Sequence, residues 1–254
     1  MPATTIDQVL AALTTIIDGA RRDASRIGYF AALYRRVTQS VKDGIAAGRF
    51  QNGPRIEQLD VIFANRYLDA LARFQSGRQP TLSWLVACKA ASDPFPLIVQ
   101  QLLLALNAHI NLDLGIATAA AAPGDQLAGI QSDFNQINAV LASLVGTVEK
   151  EIAEVSPAIH LLEEVGLRTE TTIINFSLDK ARELAWSNAQ KLASTPADQL
   201  DAAIVQLDLE GAAFGELIAH PPPPIALKLA PIRIPESNDV RHVIDVLAAT
   251  TRNE

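Results

Sequence analysis

Apolar residues recur along this chain at intervals of three and four, and before the C-terminal segment no stretch alternates convincingly with period two. That pattern predicts helices from end to end. Thr5 with Gln8 forms a capping-box signature that opens a first helix, whose stripe is Ile6, Leu10, Leu13 and Ile17. A second helix is expected over residues 25–48, with Phe30, Leu33, Val37, Val41 and Ile45 on one face. The loop GRFQNGP ends it, and Pro54 suits the first turn of a third helix reaching about Phe74. A short helix then holds Trp84 and Cys88. Asp93 and Pro94 introduce a long apolar helix that APGD at 122–125 closes. From Gln126 to about Val155, the stripe through Leu127, Ile130, Phe134, Ile137, Leu141 and Leu144 is the cleanest amphipathic pattern in the chain. Ser156 and Pro157 restart a helix ending near Gly166, Ser177 caps another through Trp186, and Thr195 with Pro196 opens a last long one that stops at His220.

The fold expected is all-α: a single multi-helix bundle over residues 1–220, followed by a distinct tail over 221–254. Pro221 to Pro224 predict extended, polyproline-like chain; IALKLAPIRIP reads as a short strand or further extended chain, and residues 238–249 as a terminal amphipathic helix. Such a tail can be a strap along the bundle, a lid over a pocket, or an arm crossing to a second copy in a homo-oligomer. No internal repeat is present.

Composition narrows the class. The 254 residues are 49% hydrophobic and only 19% charged, so a great deal of apolar surface must be hidden. No uninterrupted apolar run reaches the roughly 18 residues of a membrane span, and the N-terminus lacks the basic and apolar regions of a secretory signal. A cytoplasmic location is expected. A single cysteine, Cys88, rules out an internal disulfide framework and a cysteine-rich zinc site, and its apolar setting reads as core. A net charge of −7 without a basic stripe argues against nucleic acid as a partner.

Against this apolar background, His109 and Asp113 sit four residues apart in LLLALNAHINLDLGI (102–116). In an α-helix both project from one face, where a carboxylate can hold one imidazole nitrogen and raise the basicity of the other. A helix built only for packing avoids such a pair, because leaving either group buried and unpartnered costs about 1–3 kcal/mol. The structural alternative is a polar cluster tying helices together, with Asn107 and Asn111 bonded to loops. Asp60, flanked by Ile56, Phe63 and Tyr67 at helical spacing, is a second carboxylate on a buried face. A bridge among Arg66, Asp69, Arg55 and Glu57 explains it structurally; an acid facing His109 explains it functionally. Asp133 and Asn138 border the stripe of the 126–155 helix, where an interhelical hydrogen bond suffices. Arg182 lies four residues before Trp186, on which its guanidinium can stack. His160 and Glu164 repeat the His-to-acid spacing, while His220 and His242 read as exposed. Walker A, dinucleotide-binding glycine, GxSxG and HExxH signatures are all missing.

Four stretches, YFAALYRRVTQSV (29–41), RIEQLDVIFANRYLDAL (55–71), LLLALNAHINLDLGIA (102–117) and DFNQIN with SLDKARELAWSNA (133–138 and 177–189), resemble the DUF5995 family, a domain of unknown function found largely in bacteria. NAHINLDL is the most specific of them. The resemblance implies that His109, Asp113, Asp60 and Asp133 fall in the family's most characteristic segments; it leaves out His160, His220 and the proline-rich tail, and implies no reaction. All-helical enzymes that use HxxxD at metals, such as zinc-dependent phospholipase C, are a looser likeness whose further histidines this chain lacks.

The function expected is that of a small-molecule enzyme transferring protons on a hydrophobic substrate, by cyclisation, isomerisation or elimination. His109 serves as acid or base, Asp113 orients it, and Asp60 joins them. Asn107, Tyr67, Phe63, Asp133, Asn138 and Trp186 are the substrate-binding candidates. No cofactor is favoured. The alternative is a hydrolase or oxygen-using enzyme holding one divalent Zn, Fe or Mn through His109, Asp113, Asp60, His160 and Glu164. A third class is a non-enzymatic lipid-binding or helical interaction protein.

Overall fold

The computed structural model describes residues 1–159 and 178–249, and every regular element among them is helical. In chain order these are α1 (Ile6–Asp23), α2 (Ile27–Ala46), α3 (Gly53–Gln75), α4 (Leu82–Ser92), α5 (Ile98–Leu106), a π-helical stretch (Asn107–Leu114) and α6 (Gly115–Ala121). A 3-10 turn (Gly124–Ile130), α7 (Gln131–Val155), α8 (Leu178–Ser194), α9 (Leu200–Ala219), α10 (Pro223–Arg233) and α11 (Val240–Ala248) follow. The helix expected from Ser156 to Gly166, the Ser177 cap, His160 and Glu164 lie wholly or mostly outside the described residues. α8 runs two turns past Trp186, and α9 begins at Leu200, after a turn closed by Gln199 N donating to Pro196 O at 2.9 Å.

The α5, π and α6 segments form one continuous rod, Ile98–Ala121, at the centre of the bundle. α2, α3, α4, α8 and α9 all pack around it. By length and hydropathy this rod is apolar enough to cross a membrane, and 78% of its most apolar window is buried by its neighbours. Small residues permit the approach: a Cβ on Gly115 would lie 2.9 Å from Asn188 Cβ and 3.0 Å from the Ala185 carbonyl, so α6 and α8 touch nearly backbone to backbone.

At the N-terminus, Thr5 Oγ1 accepts from Gln8 N at 3.3 Å, while the Gln8 side chain reaches one residue further back than a capping box expects, accepting from Thr4 N at 2.7 Å. The tail corrects the sequence reading. Pro223 and Pro224 open a helix instead of extended chain, since the first turn of a helix has no use for the N–H that proline lacks. Residues 225–234, read as strand or extended, are almost entirely helical, and Leu229 and Ile232 pack on Leu97. α11 forms where the amphipathic pattern placed it, N-capped by Asp239, and buries Val240, Val243, Ile244 and Leu247 against Ala20, Tyr29 and Leu33. Between them Glu236, itself buried, accepts from Ile98 N at 3.0 Å and so caps the central rod. Residues 221–249 therefore lie along the bundle and complete its core.

Candidate functional site

His109 sits in the π-helical stretch, 3% exposed, inside a box of aromatic rings. Its imidazole stacks on Phe63, with centroids 3.6 Å apart and planes within 12°, and meets Tyr34 edge-on at 4.4 Å; Phe30, Trp84 and Tyr67 stand between 5.3 and 6.3 Å. Neither ring nitrogen has a hydrogen-bond partner. Burial, and then the Arg66 guanidinium, hold the imidazole well below its usual range, so it is neutral at physiological pH.

The expected His109–Asp113 pair does not form. Asp113, 1% exposed, accepts from Arg66 Nε and from Trp84 Nε1, both at 2.6 Å. A charged guanidinium and an indole N–H outcompete a neutral imidazole for the carboxylate. The wider i to i+5 turn of the π-helix also shifts residues four apart off the line that an α-helix would give them. Asp113 therefore fastens the rod to α3 and α4 and does not orient His109. Burial still raises its carboxyl above the usual range, Arg66 and Trp84 offsetting this only in part.

Asp60 shows the opposite. It is buried, its Oδ2 has no partner, and the bridge expected for it is absent because the surrounding groups are engaged elsewhere. Arg66 takes Asp113, Arg73 takes Asp69 at 2.6 Å, and Glu57 accepts from Ile6 N. With no cation paired to it among the described residues, burial, and to a smaller extent Glu57, push the Asp60 carboxyl up to about 7. Tyr34 Oη and Thr38 Oγ1, one turn apart on α2, are likewise buried, with no partner beyond each other, and burial, followed by Asp60, holds the Tyr34 hydroxyl far above its usual range.

Tyr34, Asp60 and His109 share a cavity of about 330 Å³ bordered by α2, α3, the central rod, α7 and the start of α8. Its walls are almost wholly aliphatic and aromatic, Leu33, Val37, Leu106, Ile110 and Leu141 among them, and among the described residues its polar lining comprises Tyr34, Asp60, His109, Glu149 and Arg182. Arg182 is committed: it bonds the Asn138 side chain and donates to Phe134 O at 2.6 Å, and its guanidinium lies 4.4 Å over the Phe134 ring. The stacking expected on Trp186 is thus made on Phe134, one helix away, with Trp186 packed on that same ring at 5.0 Å.

Of the remaining candidates, Phe63 lines the cavity, whereas Tyr67 stands behind it in the aromatic box. Asp133 accepts from Gln51 N and Asn52 N at 2.7 and 2.8 Å, holding the loop between α2 and α3. Asn107 donates to Gly211 O at 2.8 Å and accepts from Asn111, joining the rod to α9. Of the substrate-binding candidates, Asp133, Asn138, Asn107 and Trp186 do not line this cavity. Among the described residues no three His, Cys, Asp or Glu side chains gather as a ligand set; His160 and Glu164 of the alternative metal set lie outside the described residues. The sequence reading missed Tyr34. The signal was present, since Tyr34 and Thr38 follow Phe30 at four-residue spacing and place polar atoms on an otherwise apolar face.

An all-helical bundle built around a largely apolar cavity is the class of protein that fold and site define. The chain belongs to the DUF5995 family of unknown function, which it matches over residues 6–221. No curated protein and no solved structure matches it.

Proposed function

We propose that the protein binds a small hydrophobic molecule in this cavity and transforms it by proton transfer. The observation that carries the reading is the set of buried polar atoms on the wall of an apolar cavity: Asp60 Oδ2 and both His109 nitrogens without partners, and Tyr34 Oη with none beyond Thr38. Each costs about 1–3 kcal/mol unmet, and a ligand bearing one polar group repays several at once. The roles differ from those expected of a His/Asp dyad. A group titrating near the working pH is the effective acid or base, and that group is Asp60. His109, neutral and fixed by its aromatic neighbours, acts as a hydrogen-bonding group. A proton taken from one carbon by the Asp60 carboxylate and returned to another completes an isomerisation or cyclisation without a co-reactant.

Binding of diphenylhexatriene, a fluorescent hydrocarbon, tests the cavity, with Leu141→Trp to fill it. Compounds that displace the dye then serve as trial substrates, with products followed by mass spectrometry. Asp60→Asn is expected to keep binding and abolish conversion. Retained conversion by Asp60→Asn overturns the acid–base assignment; binding without conversion of any compound supports a carrier instead.

A further inference from the structure

We infer that the molecule taken up is an uncharged carbonyl compound, whose oxygen accepts hydrogen bonds from Tyr34 Oη and a His109 ring N–H. This rests on reading the cavity as a binding site for hydrophobic molecules. Three kinds of polar head can be set against the lining. An anionic head, such as a carboxylate, meets Asp60 and Glu149 and, among the described residues, no free cation, because Arg182 already serves Asn138 and the Phe134 carbonyl. Burying an anion beside carboxylates and without a counter-ion is the costliest arrangement available. An ammonium head finds a carboxyl in Asp60, but the pair forms only after both ions lose water between apolar walls, and Asp60 is easily neutralised there.

An uncharged acceptor oxygen avoids both costs. Tyr34 keeps its hydroxyl proton, with only the Thr38 hydroxyl one turn away beside it, and His109 keeps one ring N–H unpaired within the protein. Phe63, against which the imidazole stacks, lies one helical turn after Asp60 on α3, so carboxyl and imidazole face the cavity side by side. A carbonyl held by the two donors would present its α-carbon toward Asp60. The C–H bond there breaks with its proton passing to the Asp60 carboxylate, and the electron pair moves onto the oxygen, where Tyr34 and His109 stabilise the enolate. The same proton returns to carbon from Asp60, so atoms and charge balance with no other reagent.

The test is a head-group series at neutral pH on the full chain: methyl nonyl ketone, undecanoic acid and undecylamine, each displacing bound diphenylhexatriene. The ketone is expected to displace the dye at concentrations about tenfold lower than the acid or the amine. Tyr34→Phe should weaken the ketone about tenfold and leave the affinity for the hydrocarbon dye unchanged. An acid or amine that competes as well as the ketone overturns the inference, as does a Tyr34→Phe protein with undiminished ketone affinity. If the dye itself does not bind the wild-type chain, the cavity reading falls and takes this inference with it; dye binding with the wrong head-group order removes only the inference.

Discussion

The bundle buries several acids, and two regions treat theirs in opposite ways. Around the central rod, Asp113, Asp133, Asp208 and Glu236 all accept hydrogen bonds: Asp113 from Arg66 and Trp84, Asp133 from the α2–α3 loop, Asp208 from Leu82 N and Ser83, Glu236 from Ile98 N. On the cavity wall, Asp60 is equally buried and its Oδ2 is left without a donor, as are its neighbours Tyr34 and His109. Burial alone does not distinguish structure from function. A satisfied buried acid ties elements together, whereas an unsatisfied one lowers stability and is retained for what it meets from outside.

Asp113→Ala puts the largest effect on the satisfied side. It strands the Arg66 guanidinium and the Trp84 indole, and should cost about 3–5 kcal/mol in urea unfolding. A loss under about 1 kcal/mol would place Asp113 with the functional groups.

Asp60→Asn should go the other way. Because the folded-state carboxyl is raised from 3.8 to about 7, the native protein holds the proton more tightly than the unfolded chain between those values. Stability contributed by this group is present below pH 3.8, falls as pH rises toward about 7, and stays lost above it. Asparagine removes the penalty, so the variant should gain on the wild type over that window and level off above it, by a few kcal/mol at most. A variant less stable than wild type at neutral pH would mean that Asp60 has a partner.

Asp208→Ala, which removes the cap on α4, should cost about 1–2 kcal/mol with no change in dye binding. The smallest effect belongs to Tyr34→Phe, whose hydroxyl has only the Thr38 hydroxyl of its own helix beside it; its unfolding free energy should stay within about 0.5 kcal/mol of wild type.

The satisfied side was only half legible in the sequence. Periodicity located the helices because burying an amphipathic stripe is what forms them, and polar residues interrupting the apolar faces of the rod and of α3 did mark His109, Asp113 and Asp60. Partner choice was not legible. Whether Asp113 meets His109 or Arg66 depends on the π-helical turn and on how α3 and α4 cross the rod, both set by packing between distant segments. The same limit applies to Pro223 and Pro224, which read as extended chain yet open a helix seated on Leu97. Tyr34 was passed over because it lies just beside the stripe of α2, in which only apolar residues were followed.

The most direct measurement is the titration of the Asp60 side-chain carboxyl by carbon NMR, without and with methyl nonyl ketone. The account predicts a midpoint near 7 in the free protein. It predicts movement of that midpoint on adding the ketone, while the carboxyl signals of Asp113, Asp133 and Asp208 stay where they were. An Asp60 carboxyl that titrates in the ordinary acidic range and ignores the ketone would mean that its burial is structural, and would contradict the assignment of this cavity as the functional site.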